Sequence, residues 1–239
     1  MKILDQIHIL GTSHISKQSL KDIKKEFLNF EPDIICVELD RQRLASLMQG
    51  DSKLSWKVVK ILGVRGFIFV LISRYAQQKL GKMVGMKPGS EMLYAAQLAK
   101  NNNLPLGLID KPIDKTIKRL MKKITFIEVM RFFKDIIISI IPFKHKKKIK
   151  INLAEVPAEH FINQLIDELA KKYPSVYKVL IDERNHYMAK RLIVISKKEP
   201  HKKILSIVGA GHKKEMIKLI DSKIKNWEYI GYSYTTTIE

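Results

Sequence analysis

Ile7-His8-Ile9-Leu10-Gly11-Thr12-Ser13-His14, near the start of the chain, and Leu205-Ser206-Ile207-Val208-Gly209-Ala210-Gly211-His212, near its end, repeat one pattern. Each reads as an apolar strand, then Gly-x-x-His, then an amphipathic helical stretch. The glycine permits a sharp exit from a strand. The small residues after it bring backbone amides toward a helix N-terminus, an anion-facing position. The histidine then lands at the carboxyl end of the strand, where open α/β sheets hold their ligands. With 7 His and 11 Gly in 239 residues, about 0.3 such spacings arise by chance. The spacing alone therefore decides little, and the shared strand–turn–helix context is what makes the pair specific. The expectation is that His14 and His212 share one site at the tops of neighbouring strands. The plainer alternative is that each merely caps a turn or helix.

Working outward, further short apolar runs at 34–39 and 105–109 join those at 6–10 and 204–208 as strands covered on both faces. The run at 227–236, richer in tyrosine and threonine, suits an edge strand. Helical stretches fill the gaps, with Asp40 and Ser90 placed to open two of them. The order predicts an α/β fold: a central β-sheet flanked by helices, with a helical middle insertion. Residues 1–239 read as a single domain. The stretches 50–87 and 115–203 are expected to be helical and to form a cap or dimerisation layer.

Bulk properties narrow the classes. A hydrophobic share of 46% supports a packed core. The single cysteine, Cys36, rules out an intramolecular disulfide and a multi-cysteine zinc site, and its apolar setting predicts buried strand filler. Two apolar stretches, 58–72 and 126–143, carry too many charges for the roughly 20 apolar residues a membrane span needs. No secretory leader is read in the first residues, and a cytoplasmic address, possible also at the periphery of a membrane, is expected. The formal net charge of +20 reads first as a solvated lysine-rich surface, and second as a face for an anionic membrane surface or acidic partners. With no zinc finger, RRM-like motif or basic zipper, nucleic acid is not an expected partner.

Acidic residues stand at the same strand ends. Glu38 closes an apolar run, where an uncompensated charge costs several kcal/mol, and alternation places it with Asp40 opposite Leu39. It either serves the crevice of His14, as metal ligand or general base, or pairs structurally with Arg41 or Arg43. Glu91 sits in a helix's first turn, favourable to the dipole in any case. Asp110 ends another strand, and Arg184 offers a planar fork for a carboxylate or oxyanion.

Taken in order, Gly11-Thr12-Ser13-His14-Ile15-Ser16, Val37-Glu38-Leu39-Asp40 with Arg43, Pro88-Gly89-Ser90-Glu91-Met92, Ile109-Asp110-Lys111-Pro112-Ile113 with Thr116 and Arg119, Asp182-Glu183-Arg184 with Tyr187-Met188-Ala189, and Val208-Gly209-Ala210-Gly211-His212 resemble the TraB/PrgY family. That family groups with the Tiki, erythromycin-esterase and ChaN-like proteins. The resemblance runs from about His8 to Leu219. It implies an α/β core whose central β-sheet is built from two related halves, with a Gly-x-x-His element in each. Tiki relatives are metal-dependent proteases, and TraB and PrgY are associated with limiting a peptide pheromone. Carried over by position, His14 and His212 would be the site's histidines, Glu38 and Glu91 its acidic residues, and Arg43 and Arg184 its charge-stabilising groups. Lys111 departs from the arginine of the family pattern, and Lys213-Lys214 set positive charge beside His212.

Two functional expectations follow. In the first, the protein is a metal-dependent hydrolase of peptides or proteins. His14, His212 and Glu38 would bind a divalent ion (Mn, Co or Zn), a remaining glutamate would be general base, and Arg43 or Arg184 would stabilise the oxyanion. In the second, the same cleft binds a peptide or other anion without hydrolysis. A homodimer is a further expected partner state, through the helical middle.

Overall fold

The apolar runs become four parallel strands in the computed structural model, which describes residues 3–12, 17–49, 89–140 and 158–227. They are β1 (Ile7–Thr12), β2 (Ile34–Val37), β3 (Leu106–Leu108) and β4 (Ile204–Gly209), in the spatial order β1-β4-β2-β3. The two strands that end in Gly-x-x-His are therefore direct neighbours, with Thr12 opposite Gly209. The run at 228–236 expected as an edge strand lies outside the described residues, and Trp227 ends a helix instead.

In chain order the helices are α1 (Ile3–Gln6), α2 (Lys17–Phe30), α3 (Arg41–Met48), α4 (Ser90–Asn101), α5 (Ile113–Lys123), α6 (Phe126–Ile140), α7 (Ala158–Lys172), α8 (Pro174–Tyr177), α9 (Glu183–Lys198) and α10 (Ala210–Trp227). A π-turn, Lys178–Asp182, joins α8 to α9. Asp40 opens α3 as its N-cap, accepting the Gln42 and Arg43 amides.

Strand alternation sorts the core into two layers. Ile34 and Cys36 of β2, with Ile204 and Val208 of β4, pack on Met188, Ala189, Leu192 and Ile193 of α9 and Met216 and Ile220 of α10. Ile35, Val37, Leu205 and Ile207 face the other way, onto Ile23 of α2 and Met92, Ala95 and Ala99 of α4. All six residues of β4 are buried, as expected for a central parallel strand. Wherever the 115–203 stretch is described it is helical, but α9 within it is a core layer on the sheet, so only the helices before it lie outside that layer. The 50–87 stretch lies outside the described residues. Cys36 is fully buried, and that burial pushes its thiol up to about 12, the filler role expected of it.

One glycine marks a close approach that positions the site. At Gly211 a Cβ would stand 2.4 Å from Ile166 Cδ1, so α7 presses directly on the first turn of α10.

Candidate functional site

The same alternation that sends Cys36 toward α9 and α10 sends Glu38 there too, one step beyond the end of β2. The ladder holds that position: the Glu38 amide donates to the Ile207 carbonyl at 3.1 Å, and the Asp110 amide donates to the Leu39 carbonyl at 3.2 Å. Glu38, Asp110 and the end of β4 thus stand side by side at the carboxyl edge of the sheet, where parallel sheets place their ligands.

Glu38 is buried and fully partnered. Its Oε2 accepts the Gly209 amide at 2.7 Å, at the start of α10. Here the anion-facing position of the second Gly-x-x-His element is filled by the protein's own carboxylate. Its Oε1 lies 3.3 Å from His212 Nε2 and accepts a short hydrogen bond from Arg184 Nη2. Burial alone would raise the Glu38 carboxyl pKa. His212, Arg184 and the Gly209 amide outweigh it and hold the group well below the usual range, hence ionised.

Arg184, on the first turn of α9 just after the π-turn, spends four of its five N–H groups on oxygens. Nε and Nη2 fork onto Asp110 at 2.9 Å each, Nη2 also reaches Glu38, and Nη1 donates to the Leu180 carbonyl at 3.0 Å. The remaining Nη1 contact is to His212 Nε2 at 3.4 Å. Burial would lower its pKa, and the two carboxylates more than reverse that. Only the second Nη1 N–H, beside His212, has no oxygen acceptor in this network. Arg184 is a clamp that orients Glu38 and keeps it charged. Arg43 donates to the outer oxygen of Asp110 at 3.0 Å, and does not pair with Glu38. The structural pairing of Glu38 is with Arg184 rather than with Arg41 or Arg43.

His212, in the first turn of α10, is fixed from behind: its Nδ1–H donates to Asn185 Oδ1 at 2.6 Å. That bond leaves Nε2 as the working nitrogen, facing both the Glu38 carboxylate and the Arg184 guanidinium. Asn185 is fully buried and falls in phase with Met188, Ala189 and Leu192 on the core stripe of α9. A polar residue on that stripe requires a buried partner, and that phase is the signal by which the sequence could have marked it. Asp110 deserved the same weight, since it is the residue on which Arg43 and Arg184 meet.

Glu91 is buried in the first turn of α4, which packs on β2. His14 lies outside the described residues. Thr12, two residues before it, is in register with Gly209. Lys213 lays its stem across Gly11, with Cδ at 3.1 Å from a Cβ built there, and Lys214 is exposed. Lys111 pairs with Glu183 at 3.1 Å, as does Arg119 at 3.0 Å, and together they hold the Glu183 carboxyl below its ordinary value despite partial burial.

Two ligands of one tetrahedral ion, at bonds of about 2.1 Å, stand roughly 3.4 Å apart. His212 Nε2 and Glu38 Oε1, at 3.3 Å, match that separation. Among the described residues no group of three His, Cys, Asp or Glu gathers around a common point. The described donors thus make a pair and need a third from elsewhere. Among the described residues, also, no helix is long and apolar enough to cross a membrane.

The TraB/PrgY/gumN family model matches residues 4–223. An uncharacterized protein of Methanocaldococcus jannaschii, MJ1365, is 36% identical over 222 residues, covering 92% of this chain and 54% of that protein. The human TraB domain-containing protein is 23% identical over 232 residues, covering 87% of this chain and 60% of its own length, and the mouse protein is 22% identical over a similar span. The chain spans a little over half the length of these relatives. On the strength of the family match over nearly its whole length, the chain belongs to the TraB/PrgY/gumN family.

Proposed function

We propose that this protein is a metal-dependent hydrolase of peptide bonds whose site centres on the His212–Glu38 pair. The observation that carries the reading is that pair itself: an imidazole nitrogen and an ionised carboxylate 3.3 Å apart, both buried, at the carboxyl edge of a parallel sheet. Buried charge at this edge is in acidic excess, with Glu38 and Asp110 sharing the largely buried guanidinium of Arg184. A cation answers that excess better than an anion does.

His212, Glu38 and, from the first Gly-x-x-His element, His14 would hold the ion. A divalent ion (Zn, Mn or Co) would supply a Lewis acid and a water acidified toward neutrality. The chain's own residues do the rest. Asn185 fixes the His212 tautomer so that Nε2 faces the reacting side. Arg184 and the Gly209 amide hold Glu38 ionised and immobile. Glu91, buried in the first turn of α4, would act as general base, the role the family pattern implies for it. Arg43, bonded to Asp110 yet more than a third exposed, is the arginine with reach toward a developing oxyanion.

The test is metal content and turnover measured together on the full chain. After chelation, Zn, Mn and Co are restored singly, bound metal is counted by mass spectrometry, and hydrolysis of a mixed peptide library is followed. About one ion per chain and ion-dependent cleavage, both lost in His212→Ala, is the expected result. A chain that stays metal-free with all three ions, or His212→Ala cleaving at the unaltered rate, overturns the proposal. Peptide binding without cleavage by the metal-free chain would instead assign the cleft to non-enzymatic capture.

A further inference from the structure

Outside this site, the sequence Phe126-Ile127-Glu128-Val129-Met130-Arg131-Phe132-Phe133-Lys134-Asp135 forms most of α6, and its two sides differ sharply. At 100° per residue, Phe133, Phe126, Met130, Lys134, Ile127 and Arg131 fall in that order along one arc. The four apolar members are exposed: Phe126 by 76%, Ile127 by 68%, Met130 by 52% and Phe133 by 38%. Large apolar side chains gathered so closely in the open mark an interaction surface rather than scattered exposure.

The acidic residues of the helix are turned away from that arc. Glu128 is buried and takes hydrogen bonds from the Thr125 amide, the Thr125 hydroxyl and the Ser175 amide. Asp135 accepts from the Tyr173 hydroxyl at 2.9 Å and faces Lys172. What remains outside is apolar or cationic. Arg131 and Lys134 are exposed along the arc, and exposed Lys122 and Lys123 end α5 just before it. On a chain of net charge +20, this face is complementary to a surface that is both apolar beneath and anionic above.

We propose that α6 is an in-plane docking helix for an anionic lipid surface, seated through Phe126, Ile127, Met130 and Phe133 and held by Lys122, Lys123 and Lys134. A second copy of the chain fits worse: a symmetric contact through this face would set its lysines against their own equivalents. The lysine stems lie along the apolar arc while their ammonium groups stay at headgroup level, an arrangement suited to their length. The proposal is independent of the acid–base site, and neither stands or falls with the other.

Vesicle flotation of the full chain tests it, using phosphatidylcholine vesicles with and without phosphatidylserine. The unaltered protein is expected to float with the phosphatidylserine vesicles and to be released by salt. Phe126→Ser/Phe133→Ser should keep its circular dichroism and melting curve, because both side chains are exposed, and should lose about tenfold or more in vesicle partition. Ile127→Ser/Met130→Ser serves as a second variant if the first melts early. Lys134→Glu should weaken binding to phosphatidylserine vesicles only. Three results overturn the proposal: no flotation with either vesicle, an apolar variant that floats like the unaltered protein, or a concentration-dependent dimer that the apolar variant abolishes in the absence of lipid binding.

Discussion

Replacing Arg184 with methionine removes the one guanidinium that serves two buried carboxylates. The side chains of Arg184, Glu38 and Asp110 are 14%, 7% and 3% exposed, so solvent does little to screen what is lost. Breaking one partner from a buried ion pair costs about 3–5 kcal/mol. Glu38 keeps the Gly209 amide and His212, and Asp110 keeps Arg43 and the Lys111 amide. The expected loss at pH 7 is therefore near the lower end, roughly 3 kcal/mol, a large share of the 5–15 kcal/mol of a typical domain. The sign of the pH dependence follows from Glu38, whose folded pKa is depressed. Its contribution is fully present above its unfolded value of about 4.3 and disappears as pH falls through the lower folded value. The gap between Arg184→Met and the unaltered protein should then be widest at neutral pH and shrink below about pH 4. Urea unfolding followed by circular dichroism at both pH values measures it. Adding Glu38→Gln to Arg184→Met should recover part of the loss at pH 7, because the stranded charge is gone. A loss under about 1 kcal/mol, or a double variant no better than the single, would refute the clamp role.

Asp40→Ala should cost about 2 kcal/mol in the same assay, since the carboxylate caps α3 and also takes the Ile113 amide at 3.1 Å; Asp40→Asn should cost less. Gly211→Ala should change stability by no more than about 1 kcal/mol, because Ile166 Cδ1 is the movable end of its side chain and alanine favours the helix; with Ile166→Val, which lacks that methyl, the alanine should become stabilising. Asn185→Leu should free His212 Nδ1, seen by nitrogen-15 NMR as a changed tautomer population, with about 1–3 kcal/mol of stability lost. An unchanged His212 tautomer would show that some other group orients the ring.

Much of this was readable in the residues, and for identifiable reasons. Near-continuous apolar runs at 34–39 and 204–208, short and bounded by polar or turn residues, read as central strands, and the Gly-x-x-His after the second follows directly on a strand end. Period-two alternation carried Glu38 to the correct face without any tertiary information. Alternation does not, however, say what waits on that face. The partner of Glu38 comes from Arg184, 146 residues away, and the nearer arginines Arg41 and Arg43 were equally plausible from sequence. Arg184 itself reads as a fork for a carboxylate or an oxyanion, and the structure gives it two carboxylates, because an arginine's charge is visible in sequence while the partners of its N–H groups are not. Asn185 is legible only through its phase with Met188, Ala189 and Leu192 on the core stripe of α9, and that phase does not name His212 as the partner it meets there.

That π-turn is also what gives the site its economy. A regular helix from Pro174 to Lys198 would place adjacent residues about 100° apart from a single starting phase. The wider turn at Lys178–Asp182 resets that phase so that Arg184 reaches over the strand ends while Asn185 enters the core stripe behind His212. One helix start thereby controls both halves of the acid–base pair: Arg184 fixes the charge and position of Glu38, and Asn185 fixes the working nitrogen of His212. Each partner is held in place by a residue next to the other's holder. A site built this way has the charge of Glu38 and the orientation of the His212 ring set before any ligand arrives, which is the condition preorganised electrostatic catalysis requires.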